Sequence, residues 1–207
     1  GVVHDILSLM GYKVTGVQQG HESLAADVAE AREVLEQQVG PVVLVGHSSG
    51  GGVISIAGDR GKVRALVYVS ALQPEVGENM SQLLNSMPAP SNDIKQSRDG
   101  HLFVDRSKFH DDFAADLTTN RTDFMAASQV PATTALFGGT VWDAAWHKKP
   151  TYAVLSTEDR ALSPDLQRWM YKRAGSKVTE LKGSHSVYIS QPEAVAKVIE
   201  DAASVIN

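Results

Sequence analysis

Pro41-Val42-Val43-Leu44-Val45-Gly46-His47-Ser48-Ser49-Gly50-Gly51-Gly52-Val53-Ile54-Ser55-Ile56-Ala57 passes from a continuous apolar run, through a turn of glycine and serine, into a small-residue stretch. The β-branched run at 41–45 predicts a strand buried on both faces, as in a parallel sheet. Residues 49–57 predict a helix. Between them Gly46-His47-Ser48-Ser49-Gly50 matches Gly-x-Ser-x-Gly, with Ser48 at its centre. A strand-to-helix turn tight enough to present a side chain strains the backbone at that residue. Small residues are then expected two before and two after it, and Gly46 and Gly50 fill those places. Ser49 is the competing serine, but His47 stands two before it and is too bulky for that slot. The helix that follows turns its positive end toward the Ser48 oxygen. A glycine-rich loop that merely packs a helix on a sheet, or cradles a phosphate, shares part of this pattern. A phosphate loop calls for Gly-Lys-Ser/Thr, and no lysine is present here.

Outward from this segment, short apolar runs alternate with amphipathic stretches. Residues 13–17, 65–69, 152–155 and 177–181 predict strands. Residues 2–10 predict a helix ended by Gly11. Ser23 predicts the cap of a helix with Leu24, Val28, Ala31, Leu35 and Val39 on one face, stopped by Gly40-Pro41. Ser163-Pro164 opens a helix through Arg173 that Gly175 closes. Pro192 opens a last helix with Val195, Val198, Ile199, Ala202 and Ile206 on one face. Strands alternating with helices predict an α/β fold with a parallel sheet. The stretch 73–147 breaks the rhythm with Pro74, Pro88, Pro90 and Pro131, helical patches and a strand candidate at 102–104. The expected organisation is a core of 1–72 and 148–207 with an inserted cap or lid at 73–147. Extra surface helices are the plainer alternative for that insert.

The chain has 207 residues, no cysteine and a formal net charge of −5. The length fits one domain. The absence of cysteine excludes thiol nucleophiles, cysteine-ligated metals and disulfides. The acidic balance argues against nucleic acid or an anionic membrane as partner. No apolar stretch approaches the roughly 20 residues of a membrane span, and no secretory segment opens the chain, so a cytoplasmic location is expected.

A serine hydroxyl needs an adjacent base that a carboxylate orients. Behind a strand-to-helix elbow the partners follow in the order serine, acid, histidine, on loops after later strands. His4 and His21 precede the serine, and His47 cannot turn back onto its own neighbour. His101, His110 and His147 fall in or beside the expected cap. His185, in Gly183-Ser184-His185-Ser186 after the last short strand, is the candidate base. After the 152–155 strand, Asp159 is preferred as the acid because it lies deeper in the loop. Glu158 stays open as the second choice, and Asp165 reads as a first-turn helix acid. Phe103, Phe124, Phe137 and Trp142, with Met125 and Trp146, line an acyl pocket or simply pack the cap. Trp169 reads as packing. His101, Asp105, His110, Asp111 and Asp112 form a metal-like cluster, but Arg106 and Lys108 intervene, so no metal is expected.

The chain resembles α/β-hydrolase-fold proteins, and among them bacterial esterase-like proteins related to plant methylesterases and hydroxynitrile lyases. The resemblance rests on Val42-Val43-Leu44-Val45-Gly46-His47-Ser48, on Val63-Arg64-Ala65-Leu66-Val67-Tyr68-Val69, and on Ser156-Thr157-Glu158-Asp159-Arg160. It continues in Gly183-Ser184-His185 through Ser190-Gln191-Pro192 and in the 109–117 stretch. It implies a triad at Ser48, Asp159 and His185 and hydrolysis of small carboxylic esters without a cofactor, and it is compatible with a homodimer. It also permits a lyase or perhydrolase on the same triad, and a ligand-binding protein that has lost catalysis is the rival from another class. The backbone N–H of Ser49 is the expected first oxyanion donor. The second would come from a strand and a His-Gly type turn ahead of the 2–10 helix. The sequence opens inside that helix, at Gly1-Val2-Val3. The expectation is a longer parent chain. Otherwise the strands at 13–17 and 41–45 pair directly or borrow a strand, and the esterase is feeble.

Overall fold

The computed structural model describes residues 22–90, 94–96, 101–104 and 132–204. The expected helix at 2–10 and strand at 13–17 lie outside these residues. So do the 109–117 stretch, Phe124, Ile206, the cluster members Asp105, His110, Asp111 and Asp112, and the side chains of His101 and Phe103.

Ser23 accepts a hydrogen bond from the Ala26 N–H and starts α1 (Leu24–Glu36), as its residue type favours. The helix stops at Glu36 rather than running to the glycine-proline pair, so Val39 is 96% exposed instead of completing the apolar face. Next come β1 (Val42–Ser48), α2 (Gly50–Ala57) and β2 (Val63–Ala71). The 73–147 stretch holds α3 (Met80–Ser86), whose Asn79 and Gln82 form a reciprocal capping box. It also holds β3 (Ile94–Gln96), β4 (His101–Val104), β5 (Ala132–Thr133) and α4 (Thr134–Gly138). The chain then returns through β6 (Thr151–Ser156), α5 (Pro164–Ala174), β7 (Lys177–Leu181), α6 (Val187–Ser190) and α7 (Pro192–Ser204). Ser163 caps α5 through the Leu166 N–H, and Gly175 closes it at φ 69°, the two ends its sequence announces.

The main sheet is parallel in the order β1-β2-β6-β7, with Val67 opposite both Val45 and Tyr152. Side-chain alternation divides its two faces. Ala65, Val67, Val69, Tyr152 and Val154 pack against Val195, Val198, Ile199 and Ala202 of α7. Leu66, Tyr68, Ala153 and Leu155 pack with residues of α1, α2 and α5 on the other face. At Ser70 the backbone turns left-handed, φ 45°, and the alternation breaks there: Ala71 joins the same cluster as Leu66 and Tyr68. The expectation of strands buried on both faces holds for β2 and β6. It fails for β1, an edge strand among the described residues, where Val45 is 39% exposed. β7 is the other edge and carries Lys177 and Glu180 on exposed positions, which discourages further pairing.

β3, β4 and β5 form a separate antiparallel sheet. Both ends of the 73–147 stretch are anchored in the main core: Met80 and Leu83 from its start, Leu136, Val141, Ala145 and Trp146 from its end.

Candidate active site

β1 runs through Gly46 and His47 to end on Ser48, which takes φ 57° in the left-handed region. A non-glycine residue there is costly, and such strain persists where the surroundings impose it. The surroundings are visible. The Ser48 carbonyl accepts from the Leu72 N–H at 3.0 Å, and α2 begins two residues later. A Cβ on Gly46 would lie 2.7 Å from the Gly50 carbonyl oxygen. The glycine requirement at Gly50 is not reproduced, because a Cβ there meets nothing within 4 Å. Gly51 is the tight position instead: a Cβ would stand 1.7 Å from the Leu72 carbonyl oxygen, so α2 and the chain after β2 touch backbone to backbone. Ser48 is half-buried, and Ser49, with only 9% of its surface exposed, leads into α2, so its N–H belongs to the helix's positive end.

Asp159 follows β6 and is buried, at 1% exposure. Its Oδ1 accepts from the Ala161 and Leu162 N–H groups at 2.9 and 2.8 Å. Its Oδ2 accepts from the Ser156 hydroxyl at 2.8 Å and the Gln167 amide at 3.1 Å. The same oxygen lies 2.7 Å from Nδ1 of His185, itself 2% exposed. Burial alone would raise this carboxyl. The charge and hydrogen bond of His185, the Leu162 N–H and the Ser156 hydroxyl outweigh it and hold the group below its ordinary 3.8. An ionised carboxylate only accepts, so Nδ1 of His185 carries the proton, and in the neutral ring the lone pair falls on Nε2. Glu158, by contrast, is exposed and lies 3.9 Å from Lys182; Asp165 is exposed and pairs with Arg168.

The two loops are laced together. Glu158 N–H donates to the Gly183 carbonyl at 3.0 Å and Thr157 N–H to the Leu181 carbonyl at 2.9 Å. On the other side, Nε2 of His47 lies 2.8 Å from the His185 carbonyl oxygen, which can only be the acceptor. Three side chains that sequence reasoning left aside therefore touch this site: Ser156, Gln167 and His47. Behind Ser156 the Ser70 hydroxyl lies 2.8 Å away. No sequence pattern announced these contacts, since each joins segments far apart or depends on which way a buried side chain turns.

The other candidates lie elsewhere. Phe137 is half-buried against the main core, and Trp142 is 48% exposed. His147 is exposed and within 2.7 Å of Glu75. Trp169 is 45% exposed and stacks beneath the Arg173 guanidinium. No group of histidine and carboxylate side chains suited to a metal occurs among the described residues. No helix among them is long and apolar enough to cross a membrane.

A profile of the alpha/beta hydrolase family matches residues 7–198. Among solved structures, the chain is similar to polyneuridine aldehyde esterase, with a TM-score of 0.84 and 19% identity over 97% of this chain and 92% of that one. It is similar to a pyrethroid hydrolase from Sphingobium faniae JZ-2, with a TM-score of 0.77 and 23% identity over 98% and 90%. It is also similar to tomato methylketone synthase I, with a TM-score of 0.80 and 15% identity over 100% and 92%. At these identities the likeness is one of fold. No curated protein sequence matches the chain.

Proposed function

Because the chain belongs to the alpha/beta hydrolase family, we propose that it is a serine carboxylesterase acting on small esters through an acyl-enzyme. Ser48 Oγ attacks the ester carbonyl carbon and its proton passes to Nε2 of His185. The carbonyl electron pair moves onto oxygen, and the Ser49 N–H at the start of α2 holds that oxyanion. Collapse breaks the bond to the alkoxide, which leaves with the proton from His185. Water then repeats the sequence on the acyl-serine, with His185 again as base. Asp159 holds the ring in the tautomer that leaves Nε2 basic, and it stabilises the imidazolium that forms.

The observation that carries this reading is the 2.7 Å contact between two buried groups, His185 Nδ1 and Asp159 Oδ2. A buried carboxylate given four donors and a histidine suits a device that must keep one ring orientation. The positive φ of Ser48 supports the same reading from the nucleophile's side.

Hydrolysis of short p-nitrophenyl esters tests it. Ser48→Ala is expected to abolish turnover and labelling by a fluorophosphonate, and turnover that survives this substitution would sink the assignment. Asp159→Asn removes the charge while keeping the shape. It is expected to lower kcat by about 10³–10⁴-fold, because the amide no longer enforces the tautomer. Equal rates for Asp159→Asn and the parent protein would exclude Asp159 as the orienting acid.

A further inference from the structure

Building on the serine-hydrolase reading, we propose that His47, the residue immediately before the nucleophile, is a positioning residue that fixes His185 against the elbow. Its Nε2–H donates to the carbonyl oxygen of His185 at 2.8 Å, across 138 residues of chain. Its ring also approaches two others. The His185 ring is 4.7 Å away, tilted 44°, and the Tyr188 ring is 4.6 Å away, tilted 58°. Tyr188 belongs to α6, which starts two residues after His185. One side chain thus holds the backbone of the histidine loop, one face of its imidazole and the turn that follows.

Asp159 anchors one ring nitrogen of His185, and the Glu158–Gly183 and Thr157–Leu181 bonds hold its loop from the same side. The bond from His47 anchors the other end, at the main chain of His185. Since His47 and Ser48 share a peptide link, nucleophile and base are referred to the same piece of strand. A displacement of the elbow then carries the base with it. Geometry of this kind matters because a misplacement of about 1 Å can cost roughly a hundredfold in rate. His47 also remains uncharged in its role. Burial, then the nearby His185, push its imidazole down to about 3, so it adds no like charge when His185 takes up the serine proton near neutral pH.

A purely structural His47 would affect stability and leave turnover per folded molecule intact. The experiment separates the two with His47→Phe, which keeps a ring and loses the donor, and His47→Gln, which keeps an amide donor of similar reach. His47→Asn carries the same amide on a shorter stem and replaces the Phe variant if that one fails to fold. Circular dichroism confirms folding, intact mass follows fluorophosphonate labelling of Ser48, and p-nitrophenyl butyrate gives kcat and KM. Phe and Asn are expected to lower kcat and the labelling rate by about tenfold to a hundredfold with KM changed by less than about twofold, and Gln to recover most of the loss. Folded variants that all label and turn over at the parental rate overturn the proposal alone. A folded parent protein that does not label at Ser48 overturns the serine-hydrolase reading and this proposal with it.

Discussion

Asp159 Oδ2 receives a hydroxyl, an amide and an imidazole N–H while Oδ1 receives two backbone N–H groups, so both oxygens of one carboxylate are fully used as acceptors. The same few residues set how the molecule responds to acid. Asp159 has a folded pKa below its unfolded one. Its contribution is present above about pH 4 and lost as pH falls through the lower folded value. His47 acts earlier. Unfolded, it binds a proton near 6.5; folded, it refuses one until about 3. The unfolded state therefore holds more protons between those values, and stability falls as pH drops through that window, by up to about 1.4 kcal/mol per pH unit. Urea unfolding at pH 7, 6, 5 and 4 checks this. His47→Phe is expected to flatten the slope relative to the parent protein between pH 6.5 and 4. Parallel slopes would mean that His47 is protonated in the fold. Spacing and order point to Ser48 and His185, and position in the loop favours Asp159 while leaving Glu158 as the second choice. They are neighbours in one loop, and only burial and the direction of each side chain separate them.

At the scale of elements, β1, β2 and β6 were legible because apolar runs of four to five residues between turn signals have few other uses. The ends of α5 were legible because Ser163, Pro164 and Gly175 each carry a specific backbone preference. The small sheet of β3, β4 and β5 was hidden, apart from its middle strand, since two- and three-residue strands show no period. Ser70 gives no warning of its left-handed turn because serine is not a residue that favours one. The elbow glycines were legible as a group and misassigned in detail. The motif points to Gly50, whereas close approach falls on Gly51, against the Leu72 carbonyl. Gly51→Ala is therefore expected to destabilise the fold by about 2–3 kcal/mol, because neither backbone can yield without moving α2 off the sheet. Gly50→Ala is expected to stay within about 0.5 kcal/mol of the parent protein. Urea midpoints of the two variants give the comparison, and equal losses would contradict the packing described for α2.

Across the whole molecule, both ends of the 73–147 stretch pack into the main core, and Arg173 on α5 joins them. Its guanidinium donates to Glu78 at 2.8 and 3.0 Å and to the Gln73 carbonyl at 2.9 Å, at the start of the stretch. Its central carbon lies 5.9 Å from the centroid of the Trp146 ring, at the end of the stretch, and 4.4 Å from that of Trp169 on its own helix. A planar fork suits this, since one face can stack while the edges donate; an ammonium cannot do both. Glu78 reports the pairing. Partial burial would raise its carboxyl, yet the hydrogen bond from Arg173, the Glu75 backbone N–H and the Arg173 charge hold it below the usual value. Arg173→Lys is expected to keep the charge but lose the stack and the fork, and Arg173→Met to lose the donors altogether. Charge-assisted bonds in such a half-buried setting contribute about 1.5–3 kcal/mol, so the Met variant should fall by that order and Lys by less. Since the loss loosens the base of the stretch rather than the sheet, limited proteolysis should cut first between 73 and 147 in both variants, in the order Met, Lys, parent. A Met variant that melts and digests like the parent would show that the stretch is held by Met80, Leu136 and Trp146 packing alone.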